Sequence, residues 1–210
     1  MARHLFADRA VPPNDPVLVR VAEAVPINEI TGAQCNHLIA DMVVVAKGDP
    51  ADNATLVGLA APQIGISKRI AVVDIAADGK KRREEREVDL RVYVNPEIVW
   101  SSKEENEWYE GCFSTAQVCG IVSRPTRIRL RAYNPGGELI EEEHEGYVAR
   151  ILQHEVDHLN GKEFTMHIAD PDKLHWVEDE EFPAYREHEA WRTWPHKCTW
   201  EKWLSIKKGS

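Results

Sequence analysis

The chain has 210 residues, a net charge of −9 and a hydrophobic fraction of 43%. These values predict one globular domain with some decoration. The acidic balance argues against sequence-specific binding of nucleic acid, and no apolar run is long enough to predict a membrane span. Residues 1–8 lack the apolar core of a signal peptide, and the four widely spaced cysteines favour free thiols or metal ligands. We therefore expect a cytoplasmic protein.

Hydrophobic periodicity predicts a strand-rich middle flanked by helices. The predicted elements in chain order are a helix at 29–47 with Thr31 as its N-cap, strands at 70–75, 91–100, 121–123, 126–133 and 138–145, a helix at 147–159, and two short helices at about 184–194 and 199–206. Residues 170–210 hold five of the seven tryptophans. We predict a catalytic domain at 1–169 and a tryptophan-rich C-terminal extension at 170–210, packed on the body or on a partner subunit.

The predicted helix at 147–159 carries two histidines, His154 and His158, with Glu155 directly after the first. Residues four apart lie on one face of a helix, so both imidazoles can reach one ion. A carboxylate beside such an ion can handle protons. The alternative for this pattern is a helix with two solvated histidines.

A catalytic metal usually has three protein ligands and an open position. The third ligand should come from a separate segment, and Cys112 is a candidate because a glycine precedes it and a polar turn surrounds it. The segment at 56–65 is small and apolar, with Gln63 as its one polar side chain. Taken alone, that segment favours a tight turn between elements.

Three segments together resemble the signature motifs of the peptide deformylases, in that family's order and spacing. They are GLAAPQ at residues 58–63, EGCFS at 110–114 and QHEVDHLNG at 153–161. The resemblance covers about residues 28–165. It implies an α+β fold in which antiparallel β-sheets pack around a central metal-binding helix, followed here by a C-terminal helical extension.

The resemblance also implies the site. One divalent ion is held by Cys112, His154 and His158, with Fe²⁺ expected natively and Zn²⁺, Ni²⁺ or Co²⁺ able to substitute. Glu155 is expected to relay protons, while the Gln63 amide and the backbone N–H of Phe113 stabilise the oxyanion. The implied reaction removes formyl from N-formylmethionyl peptides. Docking to the ribosome and the oligomeric state stay open.

Carry-over from the family also predicts the substrate pocket and its supports. The residues expected to line the methionine pocket are Val57, Gly58, Trp108, Tyr147, Arg150 and Ile151. For the apolar ones among them, a place in the core is the alternative. Glu110 and Arg124 are expected to form an ion pair that braces the cysteine loop, and Asp157 is expected either to orient a ligand histidine or to lie on a solvated surface.

The chain departs from the family pattern at Leu56, where glycine is usual, at Phe113, where leucine is usual, and at Glu163, where an apolar residue is common. These departures leave the chemistry intact but bear on substrate range. The alternatives are therefore a related deformylase with a specialised formylated substrate, a non-catalytic metal-binding protein, and a two-histidine metallopeptidase.

Overall fold

The computed structural model describes residues 9–48, 56–79 and 87–209. Residues 1–8, which show no signal-peptide pattern, lie outside the described part. The α-helices are α1 (Ala33–Lys47), α2 (Gly146–Leu159), α3 (Phe182–Arg186) and α4 (Trp200–Lys208). The strands are β1 (Gly58–Ala60), β2 (Ile70–Asp74), β3 (Leu90–Ser101), β4 (Glu105–Gly111), β5 (Val118–Pro125), β6 (Arg127–Tyr133), β7 (Leu139–Glu145) and β8 (Leu174–Trp176).

The described strands form two antiparallel sheets. The larger has the order β1-β2-β3-β6-β7 and the smaller the order β4-β5-β8. Strand β6 alternates between exposed and buried residues, as its sequence predicts for a half-buried strand. It pairs with β7 from Arg127 opposite Glu145 to Tyr133 opposite Leu139. The predicted α+β class with antiparallel sheets is confirmed.

Helix α2 is the central element of the fold. It contacts β1, β2 and β7 of the larger sheet and β5 of the smaller one. Ala149, Leu152 and Leu159 on this helix are fully or almost fully buried, which anchors it against the larger sheet. The helix ends at Leu159 and is terminated by Asn160 and Gly161, as predicted. This glycine has a φ of +67°, and a Cβ there would lie 2.8 Å from the backbone of Val19, so no other residue fits without a shift.

Several predicted boundaries are wrong for identifiable reasons. Helix α1 begins at Ala33 with Gly32 at its N-cap, because the preceding residues form a separate 3-10 turn at Ile27–Glu29. Strand β4 was not expected, since its sequence is short and mostly polar. It is held by residue-for-residue pairing with β5, from Glu105 opposite Pro125 to Gly111 opposite Cys119. Such pairing is invisible in the local pattern.

The C-terminal extension packs on the body of the same chain. Strand β8 pairs with β5, and Tyr185 and Trp191 are buried. The predicted helix at 184–194 is broken, because His188 and Glu189 take left-handed backbone conformations with φ of 49° and 58°. A short 3-10 segment therefore follows α3. Among the described residues, no helix is both long and apolar enough to cross a bilayer.

Helix α4 explains one departure from the family pattern. Glu163 is 1% exposed, and its carboxylate pairs with Lys207 of α4 at 3.0 Å. Lys207 also donates a hydrogen bond to the backbone carbonyl of Pro13. A buried charge requires a partner of opposite sign, so the extension supplies the cation that this glutamate needs.

Candidate metal centre and active-site cavity

Three ligand atoms converge between the end of β4 and helix α2. The Cys112 Sγ lies 3.3 Å from His158 Nε2, which lies 3.2 Å from His154 Nε2. All three ligand atoms lie within 4.8 Å of one another, and within the described part of the chain no other group of His, Cys, Asp or Glu meets this condition. One thiolate and two imidazoles are a donor set that suits a divalent transition ion. The residues therefore fit a metal.

The two histidines reach the centre because they lie one turn apart on α2, as the sequence predicts. Cys112 comes from a separate segment and follows directly after the end of β4. Gly111 permits this turn to pack closely, since a Cβ there would lie 2.8 Å from the Cys119 Sγ. Cys119 is buried but is not part of the ligand group.

Glu110 orients the ring of His154. Its Oε2 accepts a hydrogen bond from His154 Nδ1 at 2.9 Å, which aims the opposite ring nitrogen at the centre. Arg124 donates two hydrogen bonds to the same carboxylate, at 2.6 and 2.9 Å, and Arg150 donates one at 2.7 Å. Burial raises the pKa of Glu110, but Arg124 and His154 outweigh it and hold that pKa well below its usual range. The structure shows the expected Glu110–Arg124 ion pair. We call these residues, with Asp157, the Glu110 network.

Asp157 contacts neither ligand histidine. Its Oδ2 accepts from Arg124 and from His167, each at 2.8 Å. Through this contact Asp157 gives Arg124 a second carboxylate partner in the Glu110 network. His167 is the other partner of the Asp157 carboxylate, a contact that the sequence pattern does not indicate.

The thiol of Cys112 is held in the form that binds metals. Burial raises its pKa, but the charge of His158 and hydrogen bonds with His154 and His158 lower it to well below the usual value. The Gln63 amide donates to the Cys112 Sγ at 3.2 Å, which also favours the thiolate. Thiolate, not thiol, is the ligating species.

Glu155 lies beside the converging ligands and is buried, with 3% exposure. Within the described chain its Oε2 has no hydrogen-bond partner. Burial raises its pKa to about 7, against the lowering effect of His154 and His158. A Cβ on residue 58 would lie 2.2 Å from Glu155 Oε1, so Gly58 makes the space that this carboxylate occupies. A buried carboxyl that titrates near neutrality is suited to proton transfer.

Gln63 lies in the short 3-10 helix Ala61–Ile64, which follows β1 directly. Its Oε1 accepts from the Ala60 backbone N–H at 2.7 Å, and this contact turns the amide nitrogen toward Cys112 and the buried Ser114. The tight turn favoured by the local sequence is therefore present, and it presents a donor to the centre. Phe113 opens the next 3-10 turn after Cys112, and its side chain is 46% exposed.

A cavity of about 250 Å³ opens onto these groups. Five of the six predicted pocket residues line it, namely Val57, Gly58, Tyr147, Arg150 and Ile151. Trp108 does not line it, because its ring packs against Trp191 of the extension at 5.8 Å between centroids. Leu56 and Phe113, the two departures nearest the site, also line the cavity.

Arg150 lines the cavity but is already committed to other partners. Besides Glu110, its guanidinium donates to the carbonyl of Val122 at 3.0 Å and to Asn106 at 2.7 and 2.8 Å. Its position is that of a support for the Glu110 network. The predicted contact between Arg150 and the substrate stays a prediction.

The sequence did not indicate that the extension reaches the cavity. Phe182 and Arg186 of α3 line it, together with Tyr109 of β4. The Tyr109 and Phe182 rings meet edge to face at 6.2 Å. No local signal could have found this wall, since it depends on how the extension docks.

The chain is similar to a known protein family over most of its length. Residues 9–174 match the family described as polypeptide deformylase. The chain is 37% identical over 155 residues to a peptide deformylase 1 of Ralstonia nicotianae, covering 74% of this chain and 82% of the relative. It is 41% identical over 152 residues to a peptide deformylase of Natranaerobius thermophilus, covering 72% and 85%.

Solved structures give the same result. A Met-Ala-Ser-bound class I type b peptide deformylase from Acinetobacter baumannii is similar with a TM-score of 0.67 and 33% identity, covering 76% of this chain and 96% of that one. An actinonin-bound structure of the enzyme from the same organism is similar with a TM-score of 0.64, covering 77% and 97%. The chain therefore belongs to the polypeptide deformylase family.

Proposed function

We propose that this deformylase holds one divalent ion with Cys112, His154 and His158 and uses Glu155 as its proton-transfer group. The enzyme removes the N-formyl group from N-formylmethionyl peptides and releases formate. The observation that carries the proposed roles is the position of Glu155. It is a buried carboxyl with an unpartnered oxygen in the described chain, directly beside the three converging ligand atoms.

The residues divide the work of amide hydrolysis. A divalent ion, when bound, supplies positive charge that acidifies water and polarises the formyl carbonyl. Glu155 takes the proton from the attacking water and returns it to the leaving amine. The Gln63 amide and the backbone N–H of Phe113 donate hydrogen bonds to the developing oxyanion, each typically contributing about 3–4 kcal/mol.

The cavity walls position the substrate. Val57, Ile151 and Tyr147 give it an apolar surface suited to a methionine side chain. Gly58 leaves room for the Glu155 carboxylate to lie against the cavity wall. Leu56 narrows the entrance relative to a glycine, and this supports a narrower substrate range as part of the proposal.

A purely structural metal site is less well supported. Structural sites usually have four protein ligands, whereas this group has three within the described residues. Gln63 and Glu155 are not needed merely to hold an ion. Both are nevertheless buried beside it.

The proposal extends to the ion and the setting. A thiolate ligand suits Fe²⁺ and leaves the site sensitive to oxidation, with Zn²⁺, Ni²⁺ or Co²⁺ as substitutes. We place the enzyme in the cytoplasm, acting on nascent chains from the ribosome. Residues 170–210 form an extension of the catalytic domain at 1–169.

The test is formate release from formyl-Met-Ala-Ser under anaerobic conditions by the wild type and by Glu155→Gln. Glutamine keeps the shape of the side chain but cannot accept the proton. We expect kcat to fall about a hundredfold to ten-thousandfold. Metal content, measured by elemental analysis, should stay at the wild-type level.

Glu143→Gln is the matched control, because Glu143 is an exposed strand glutamate that pairs with Arg129. It should keep wild-type activity. Equal formate release by the wild type and Glu155→Gln would refute the assigned role. No release by a metal-loaded wild type would instead favour a binding protein.

A further inference from the structure

We propose that Arg186 of the C-terminal extension binds a carboxylate of the substrate and so makes this enzyme selective for formylated peptides that carry one near the formyl-methionine. The inference rests on the proposed function, because it assigns selectivity to the same cavity. It concerns residues beyond position 174, where the match to the family ends.

The first support is position. Arg186 lines the same cavity as Cys112, His154 and Glu155, yet its side chain is exposed. A residue that is both exposed and cavity-lining lies at the mouth. A peptide whose first side chain fills the apolar pocket has its following residues at that mouth.

The second support is charge. The other two arginines near the cavity already have carboxylate partners, since Arg124 pairs with Glu110 and Asp157 and Arg150 pairs with Glu110. Arg186 forms no ion pair with any carboxylate of the described residues, although the chain as a whole has a net charge of −9. Its guanidinium is therefore the cation at this mouth that remains available. Arginine binds carboxylates through two parallel hydrogen bonds.

The third support is pre-organisation. The Arg186 Cζ lies 5.8 Å from the centroid of the Phe182 ring, and the guanidinium lies beside the Tyr109 hydroxyl. Helix α3 is itself held by the buried Tyr185, whose hydroxyl bonds His175 at 3.0 Å. A fixed guanidinium loses less side-chain entropy on binding than a free one.

An N-formyl peptide offers carboxylates from two sources. One is the terminal α-carboxylate of a short peptide, and the other is an acidic side chain next to the methionine. Both present the same planar pair of oxygens to Arg186. Four substrates separate them: formyl-Met-Ala, formyl-Met-Ala amide, formyl-Met-Asp amide and formyl-Met-Asn amide.

The experiment measures kcat/KM for formate release from these four substrates by metal-loaded wild type, Arg186→Gln and Arg186→Lys. For Arg186→Gln we expect kcat/KM to fall about tenfold more on at least one carboxylate substrate than on its neutral partner, mainly through KM. Arg186→Lys should recover part of that difference, because it restores the charge without the fork. The pair of substrates that shows the effect identifies the source.

Arg192→Gln is the matched control, since Arg192 is an exposed arginine of the same extension that does not line the cavity. It should leave the substrate ratios unchanged. Equal losses on charged and neutral substrates for Arg186→Gln, or no loss on any of them, would overturn the inference.

Equilibrium binding of product peptides, such as Met-Ala and Met-Ala amide, is measured by calorimetry. It tests the carboxylate site separately from the proposed function. If the wild type releases no formate from any substrate, the proposed function fails. Weaker binding of Met-Ala, but not of its amide, by Arg186→Gln would still support the carboxylate site. Identical binding of Met-Ala and its amide by the wild type, together with identical binding of Met-Asp amide and Met-Asn amide, would overturn it.

Discussion

The cavity has two walls with opposite construction. The helix wall is formed by α2 and is held from behind by the Glu110 network, in which charged groups pair at 2.6–2.9 Å. The extension wall, formed by α3 and the residues packed on it, consists of aromatic rings 5–6 Å apart. One wall fixes atoms for chemistry, whereas the other shapes the entrance.

The two walls differ in how the removal of one side chain affects their stability. A buried charge network fails if one member is removed, because the remaining charges stay buried without partners. An aromatic cluster loses area and packing in proportion to the ring removed. Substrate range can therefore vary through the extension while the metal centre stays intact.

The largest effect should come from Glu110→Gln, which breaks the helix wall. Arg124 and Arg150 would remain buried without their shared anion, so we expect a loss of about 3–5 kcal/mol in the free energy of unfolding. His154 would also lose its orienting acceptor, so metal affinity should fall about tenfold to a hundredfold. Urea unfolding and metal titration measure the two losses.

Glu105→Gln is the control for that comparison, since Glu105 lies on the same strand but is exposed, and its carboxylate accepts a hydrogen bond from the Ser123 hydroxyl. It should change neither quantity appreciably. Wild-type stability and affinity in Glu110→Gln would show that the charge network does not carry the helix wall.

Trp191→Ala should break the extension wall with less effect on the metal centre. Trp191 is 1% exposed and packs against Trp108 and Tyr109. Truncation of a buried aromatic costs about 3–5 kcal/mol, and here the loss should appear first as release of the extension. Limited proteolysis after residue 170 measures this release, and elemental analysis should find the metal retained.

Trp100→Ala provides the matched control, because Trp100 is a tryptophan that is 44% exposed on β3. It should alter protease sensitivity little. Loss of metal in Trp191→Ala, in parallel with release of the extension, would mean that the two walls are one cooperative unit.

The smallest effect concerns pH and sharpens how the extension is held. Burial and the nearby charge of Lys197 lower the pKa of His175 to about 4. Its unfolded value is about 6.5, so between these values the folded state binds fewer protons than the unfolded state. Stability from this group is complete above pH 6.5 and is lost as the pH falls toward 4, by on the order of 3 kcal/mol.

His175→Gln removes this titration, and it should flatten the fall in stability between pH 6.5 and 4. Thermal unfolding followed by tryptophan fluorescence at several pH values is the measurement. His37→Gln, at an exposed histidine of α1, should leave the slope unchanged. An equal slope in the wild type and His175→Gln would show that acid weakens the extension through other groups.

Much of the helix wall could be predicted from sequence. The spacing of His154 and His158 is set by the period of one helix, and the motif around Cys112 implied the third ligand. The Glu110–Arg124 pair followed from the same resemblance. The hydrogen bonds of Arg150 did not follow from it, since its three partners lie on strands that are distant in sequence.

The extension wall could not be predicted in this way. Its tryptophans indicated packing, but not against what. Strand β8 exists only because β5 offers it a free edge, and the left-handed residues His188 and Glu189 break a segment that reads as helical. Trp108 was expected to line the pocket, but its ring packs against Trp191 of the extension.

The sequence by itself predicted the three ligand residues that converge in the structure and determined the antiparallel fold class, because these depend on helical period and on short motifs. The proton-transfer role of Glu155 stays a prediction. The tertiary structure alone decided that Phe182 and Arg186 border the cavity and that Lys207 neutralises Glu163. The physical reason is range. Local spacing fixes which side chains share a face, whereas the docking of a distant segment depends on surfaces that exist only after folding.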